Sequence, residues 1–150
     1  MPQSIAKIYG HIIFSTKNRA PLIEKHVRDE LGAYITGILR NHDTPVLITC
    51  AVKDHVHILC QLSKNHAVSD IVEKVKTGSS KWLKTKKGVP PDFHWQNGYG
   101  VFSVSPSKVD TTKAYIKNQE EHHRRKTFEE EFRQFLKQYS VDYDERHVWG

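Results

Sequence analysis

The stretch Asp54-His55-Val56-His57-Ile58-Leu59 decides the predicted fold, because it sets two histidines in an apolar run rich in β-branched residues. Such a run is typical of a β-strand. On a strand, residues i and i+2 point to the same face, so the Cβ atoms of His55 and His57 lie roughly 6.5–7 Å apart. Val56 and Ile58 point to the other face, where a core can cover them. Two neutral imidazoles held side by side can share one metal ion.

The segments around this strand follow a recognisable order of secondary structure. We predict a strand over 6–16, a helix over 24–41, strands over 46–53 and 55–62, a helix over 68–84, a strand over 99–105, and helices over 108–125 and from 127 onward. This is the βαββαβ order of a ferredoxin-like or RNA-recognition-like α+β domain, in which a four-stranded antiparallel sheet carries two helices on one face. We therefore expect the two histidines on a central strand, looking out from the open face of the sheet.

The length and composition of the chain indicate one globular unit. The 150 residues contain no internal repeat and no linker, so a single domain is expected over residues 1–150. Apolar runs stay far short of the ~20 residues of a membrane span, so we expect no membrane partner. The N-terminus has no charged-then-apolar signal sequence, which predicts a cytoplasmic protein.

The net charge of +6 favours a polyanionic partner, and the placement of the charge supports nucleic acid. Lysines cluster over 74–87, and a second basic run covers 122–126. Each run alone is equally consistent with a solvated surface. The candidate DNA contacts are Lys17, Arg19, Lys74, Lys76, Lys81, Trp95 and His123.

A second group of candidate residues lies on the helix predicted over 108–125. Tyr115 and Gln119 are four residues apart, hence on one helical face, and His123 lies one turn further along. The Gln119 amide oxygen can bind a metal, while the Tyr115 phenol has a free pKa near ~10 and needs activation to attack at neutral pH. His123 is open to three roles, as a ligand, a proton carrier or a phosphate contact. Tyr115 can equally be an ordinary half-buried aromatic.

Five segments combine these features in a fixed order. They are His11-Ile12-Ile13-Phe14-Ser15-Thr16-Lys17 with Arg19, Asp54-His55-Val56-His57-Ile58-Leu59, Trp95-Gln96-Asn97-Gly98-Tyr99, Tyr115-Ile116-x-x-Gln119 with His122-His123, and Phe128-Glu129-x-Glu131. In this order the chain resembles the single-tyrosine HUH transposases, the TnpA-like enzymes of small insertion sequences that move as single-stranded DNA. The resemblance runs from about residue 9 to about residue 143.

The resemblance implies a role for each candidate catalytic residue. His55 and His57 would bind a divalent metal, Mg²⁺ or Mn²⁺, with Gln119 as the third protein ligand, and Tyr115 would be the nucleophile. The family cleaves and rejoins single-stranded DNA at hairpin-bearing element ends through a 5′-phosphotyrosine intermediate. Its members are homodimers, so a homodimer with hairpin DNA as its partner is expected here.

Alternative functions stay open at this point. A ferredoxin-like module that binds single-stranded nucleic acid without cutting it explains the charge and the aromatics. It does not explain His55, His57, Tyr115 and Gln119 together. A domesticated relative or a replication-initiator or relaxase nuclease would use the same chemistry in another biological role. A metalloenzyme acting on other substrates accounts poorly for the charge.

Overall fold

The computed structural model describes residues 3–149. Its regular elements are β1 (Tyr9–Ser15), α1 (Lys25–Arg40), β2 (Val46–Ala51), β3 (His55–Gln61), α2 (Val68–Leu83), β4 (Gly100–Val104), α3 (Val109–Lys117), α4 (Gln119–His122) and α5 (Phe128–Gln138), with short 3-10 turns at Lys17–Arg19 and Pro106–Lys108. Within this part of the chain, no helix is long and apolar enough to cross a membrane.

The four strands form one sheet in the order β2-β3-β1-β4, and every neighbouring pair is antiparallel. A tight turn joins β2 to β3, closed by a hydrogen bond from the Val52 N–H to the His55 carbonyl at 3.0 Å. The predicted α+β class and βαββαβ order are confirmed, with β3 a central strand. The first strand begins at Tyr9, three residues later than predicted.

One face of the sheet carries the main hydrophobic core. Alternate residues of β1 and β3, including Ile12, Val56 and Ile58, pack there against the apolar stripes of α1 and α2. Leu31, Ile35 and Leu39 of α1 are fully buried, as helical spacing predicts. This packing fixes which side of β3 faces away from the core, and therefore where His55 and His57 point.

The other face of the sheet is covered, and the prediction of an open face is wrong. Helix α5 lays Phe128, Phe132 and Leu136 against Ile13 and Phe102 in a second cluster. Gly100 permits this close approach, because a Cβ there would lie 2.7 Å from Cε2 of Phe132. Helix α5 is strongly amphipathic. Packing its aromatic face on the sheet removes apolar surface from water that would stay exposed if the helix were undocked.

The predicted helix over 108–125 is divided into two parts. Helix α3 ends at Lys117, Asn118 adopts a non-helical conformation (φ −96°, ψ 25°), and α4 restarts the chain at Gln119. Asparagine disfavours helix interiors because its side chain competes for backbone hydrogen bonds. Ile116 is the buried residue of α3, so little apolar packing holds this segment straight.

Candidate active site

Strand β3 places His55 and His57 on the face covered by α5, and both side chains are fully buried. On the neighbouring strand β1, Ile13 pairs with His57, and His11 lies two residues before it on the same face. The His11 Nε2 atom lies 2.7 Å from the His57 Nδ1 atom. The antiparallel register therefore gives His57 a buried imidazole partner that orients its ring.

Asp54 fixes the orientation of the second imidazole. Its Oδ1 atom lies 2.7 Å from the Nδ1 atom of His55. With Nδ1 as the donor in this hydrogen bond, Nε2 is the nitrogen that can offer a lone pair to a metal ion. Among the described residues, the buried Nε2 of His55 has no hydrogen-bond partner. A carboxylate that holds the far nitrogen of a ligating histidine is a recurrent arrangement in metal sites.

Helix α5 brings a carboxylate, Glu131, against these imidazoles. The Glu131 Oε1 atom lies 3.0 Å from His57 Nε2, 3.6 Å from His55 Nε2 and 3.2 Å from His123 Nε2. One ligand atom from each of these four residues lies within 4.8 Å of the others. No role was predicted for Glu131, although it closes the segment Phe128-Glu129-x-Glu131. The signal in the sequence is an acidic residue on the otherwise aromatic face of an amphipathic helix.

Tyr115 of α3 reaches the same carboxylate. Its hydroxyl donates a hydrogen bond to the second oxygen, Oε2, of Glu131. Its ring stacks on His122 with centroids 4.6 Å apart, and lies edge-on to His57 at 6.2 Å. Burial, together with the adjacent Glu131 charge, raises the pKa of Tyr115 above its usual range. In the absence of a cation, Tyr115 is therefore a neutral phenol at physiological pH.

Gln119 is fully buried at the edge of this cluster. Its Nε2 donates to the Tyr115 carbonyl at 3.2 Å, and its Oε1 accepts a hydrogen bond from His123 Nε2 at 3.0 Å. The structure thus joins Gln119 to the imidazole cluster through His123. The predicted proximity of Tyr115, Gln119 and His123 follows from their four-residue spacing, which the break at Asn118 preserves.

Burial and hydrogen bonding set the pKa values of the ionisable groups in the cluster. Burial lowers the pKa of His57 to about 4 and that of His11 to about 3, so both imidazoles are neutral at physiological pH. Burial pushes the pKa of Glu131 upward, yet hydrogen bonds from His123 and His57 outweigh it and hold that pKa well below its usual range. The cluster therefore presents one buried, ionised carboxylate beside the neutral imidazoles of His57 and His11.

These donors fit a divalent cation. His55 Nε2 is buried without a hydrogen-bond partner among the described residues, and it faces the Glu131 carboxylate. Three imidazoles and a carboxylate are ligands that manganese and later divalent transition metals accept. His55, His57, His123 and Glu131 are the described residues that would hold such an ion. Gln119 lies one hydrogen bond away, through His123.

The candidate DNA-binding lysines lie apart from this cluster. Lys74 and Lys81 are exposed on α2, which packs on the opposite face of the sheet. Lys76 is half-buried and donates to the backbone carbonyls of Gln96 and Gly98. Burial lowers its pKa to about 8. Lys76 therefore anchors the loop that precedes β4, while the side chains of Lys74 and Lys81 stay exposed on α2.

Lys17 and Arg19 lie at the exit of β1, as predicted. Arg19 forms a 3.0 Å ion pair with Glu129 of α5 and packs over the ring of Trp149. Trp95 is only 5% exposed, and its Nε1 donates to the Ser79 hydroxyl at 3.0 Å. Its ring belongs to the core rather than to a surface on which bases can stack. A backbone bridge between Thr16 and Trp95 draws it inward.

Comparison with known proteins gives these observations a family. Residues 4–119 match the model of the IS200-like transposases. The ISDra2 transposase TnpA of Deinococcus radiodurans is 24% identical over 114 residues, which cover 73% of this chain and 81% of that protein.

Solved structures agree with the fold. A crystal structure of a Deinococcus radiodurans protein assigned to the transposases superposes with a TM-score of 0.59 at 25% identity, covering 77% of this chain and 93% of that one. A REP-associated tyrosine transposase bound to a REP hairpin gives 0.60 at 14% identity, covering 81% and 72% of the two chains. The resemblance predicted from the sequence is confirmed, and the chain belongs to the family of IS200-like transposases.

Proposed function

We propose that this transposase cleaves and rejoins single-stranded DNA, with Tyr115 as nucleophile and a divalent cation, Mg²⁺ or Mn²⁺, at His55 and His57. One observation carries the proposal. The Tyr115 hydroxyl and the His57 imidazole bind the two oxygens of a single buried carboxylate, Glu131. An aromatic residue that served packing alone would have no need of a nucleophilic oxygen beside a set of metal-binding donors.

The proposed reaction exchanges one phosphate ester for another. The Tyr115 oxygen forms a bond to phosphorus, the bond from phosphorus to the 3′ oxygen breaks, and a 5′-phosphotyrosine link and a free 3′-hydroxyl result. The phenol loses one proton and the departing oxygen gains one. A bound cation supplies charge neutralisation at the phosphate oxygens and favours the ionised phenol. A second 3′-hydroxyl can then attack the phosphotyrosine, which releases the tyrosine and joins new DNA ends. No other energy source is needed, because the phosphotyrosine ester replaces the broken phosphodiester.

The residues of the chain have separate tasks in this scheme. His11 and Asp54 hold the imidazoles of His57 and His55 in one orientation, so that the Nε2 atoms converge. The break at Asn118 separates α3 from α4 and gives the tyrosine helix its own short segment. We assign Gln119 to the ligand set, beside His123. Its buried amide oxygen already faces the His123 imidazole, at 3.0 Å from Nε2.

Hairpin DNA is the proposed substrate, and a homodimer the proposed assembly. A structural neighbour is a transposase bound to a REP hairpin, and the present chain carries a net charge of +6. The exposed lysines Lys74 and Lys81, together with Lys17 and Arg19, are the proposed phosphate contacts. Joining two DNA ends requires two nucleophiles near each other, and two copies of the chain supply them.

A covalent-adduct assay tests the function. Purified protein, Mn²⁺ and single-stranded oligonucleotides from both strands flanking its gene are mixed and resolved on a denaturing gel. We expect a protein–DNA band that disappears in Tyr115→Phe and in His57→Ala. Tyr34→Phe is the matched control, since Tyr34 lies partly exposed on α1, and it should retain the band. Hairpin binding without any adduct would favour the non-cutting binding module.

Mixing two inactive variants tests which chain supplies the tyrosine. In this structure Tyr115 contacts the cluster of its own chain. If that arrangement is the active one, mixed Tyr115→Phe and His57→Ala proteins should stay inactive. Restored adduct formation would show that Tyr115 serves the histidines of a second copy.

A further inference from the structure

Glu131 is placed unlike any other acidic residue of the described chain. It is 2% exposed, and its helix, α5, lies beyond the residues that match the family model. One oxygen faces the Nε2 atoms of His55, His57 and His123, and the other accepts the Tyr115 hydroxyl hydrogen bond. Burying an ionised carboxylate costs several kcal/mol unless it is paired and hydrogen-bonded. A merely structural position would be filled more cheaply by an apolar residue.

The contact between Glu131 and His55 leaves room for a positive charge between the two side chains. Asp54 holds the Nδ1 side of His55, and the buried Nε2 atom has no hydrogen-bond partner among the described residues. That Nε2 atom lies 3.6 Å from Oε1 of Glu131. Two electron-rich atoms that face each other in a buried site repel. A positive charge between them, either a metal ion or a second proton, satisfies both.

We propose that Glu131 is a ligand of the divalent cation and also positions Tyr115, so that one carboxylate couples the metal centre to the nucleophile. The inference rests on the function proposed above and adds a ligand from α5 to its metal site. It also narrows the choice of metal. A set with several imidazoles and one carboxylate favours Mn²⁺ over Mg²⁺, because Mg²⁺ prefers oxygen ligands and retains its waters.

A Mn²⁺ titration of the DNA-free protein tests the ligand role. Binding is followed by calorimetry or by the loss of the electron paramagnetic resonance signal of free Mn²⁺. Glu131→Gln keeps the shape and removes the charge. Glu129→Gln removes the same charge from a partly exposed position on the same helix. We expect Glu131→Gln to weaken Mn²⁺ binding at least about tenfold, since even outer partners of metal sites are worth that much. Glu129→Gln should bind Mn²⁺ with the affinity of the parent protein. The parent should bind Mn²⁺ more tightly than Mg²⁺.

The contact to Tyr115 is tested without metal. Protein labelled with ¹³C at the phenolic carbon of tyrosine gives one resonance per ring, and Tyr115→Phe identifies the signal of Tyr115. We expect Glu131→Gln to move that signal and Glu129→Gln to leave it in place. A Tyr115 signal that does not move in Glu131→Gln would overturn the coupling.

Two further outcomes separate this inference from the function on which it rests. If the parent binds Mn²⁺ and Glu131→Gln binds it equally well, Glu131 is not a ligand, whereas the metal-dependent function stands. If the parent itself binds no divalent cation, the proposed function fails first.

If circular dichroism shows that Glu131→Gln does not fold, Glu131→Asp replaces it. Aspartate retains the charge on a shorter side chain, and affinity equal to the parent would again refute the ligand role.

Discussion

The docking of α5 on the sheet can be tested by removing one ring. Phe132 is 9% exposed and lies against Phe102, Phe128 and the ring of Trp149. Replacing a buried phenylalanine with alanine costs about 3–5 kcal/mol. We take the lower end for Phe132→Ala, because Phe132 is 9% exposed rather than fully enclosed. About 3 kcal/mol corresponds to roughly a hundredfold change in an equilibrium constant.

Native-state hydrogen exchange measures this change locally. The aromatic cluster under α5 is distinct from the core between the sheet and α1 and α2. Opening of α5 should therefore expose its own amides and leave those of α1 protected. In Phe132→Ala, we expect α5 amides to exchange up to about a hundredfold faster, with α1 rates little changed. Lys137→Ala is the control, since Lys137 is exposed on the same helix.

Two results would refute this reasoning. Exchange in α5 that matches the Lys137→Ala control would mean that Phe132 does not hold the helix. An equal acceleration in α1 and α5 would mean that the two faces of the sheet open together. In the expected case, Mn²⁺ binding should weaken in parallel, because the same helix carries Glu131.

Three further changes have expected outcomes. His11→Phe removes the hydrogen-bond partner of His57 and should weaken Mn²⁺ binding about 10- to 100-fold in a titration; unchanged affinity would show that His11 only fills space. Thr127→Ala removes the capping box at the start of α5 and should lower the free energy of unfolding by about 1 kcal/mol, measured by urea denaturation; no change would assign the helix start to packing alone. Trp95→Phe breaks the hydrogen bond to Ser79 and should reduce stability by about 1 kcal/mol while leaving DNA affinity unchanged in a gel-shift assay; weakened DNA binding at equal stability would return Trp95 to the DNA-contacting surface.

Local patterns in the sequence were sufficient to predict the sheet and half of the candidate site. The alternation around Val56 and Ile58 has the period of a strand, and it fixes the face of His55 and His57 without reference to the rest of the chain. The i,i+4 spacing did the same for Tyr115 and its helical neighbours. Both inferences depend only on geometry within one element, which short-range sequence determines.

The missing parts of the site depend on contacts between distant residues. Glu131 lies 74 residues after His57, and nothing local indicates that α5 covers that face of the sheet. The aromatic stripe of α5 predicts that one face of the helix is buried, but it does not indicate the surface against which that face packs. Trp95 was misplaced for the same reason, because the bridge to Thr16 that draws it inward joins segments far apart in the chain. Asn118 carried a local signal for a helix break that the surrounding helical pattern obscured.

The pairing of β1 with β3 has a consequence for how the chain selects its native state. Sliding β3 by one residue would exchange its faces, turning Val56 and Ile58 outward and His55 and His57 into the apolar core. There the imidazoles would lose His11 and Glu131, leaving buried polar atoms without partners, each at a cost of about 1–3 kcal/mol. The buried histidines of the candidate site thus also penalise misalignment of the central strands. Replacing them with apolar residues should broaden the set of strand alignments that the folding chain samples.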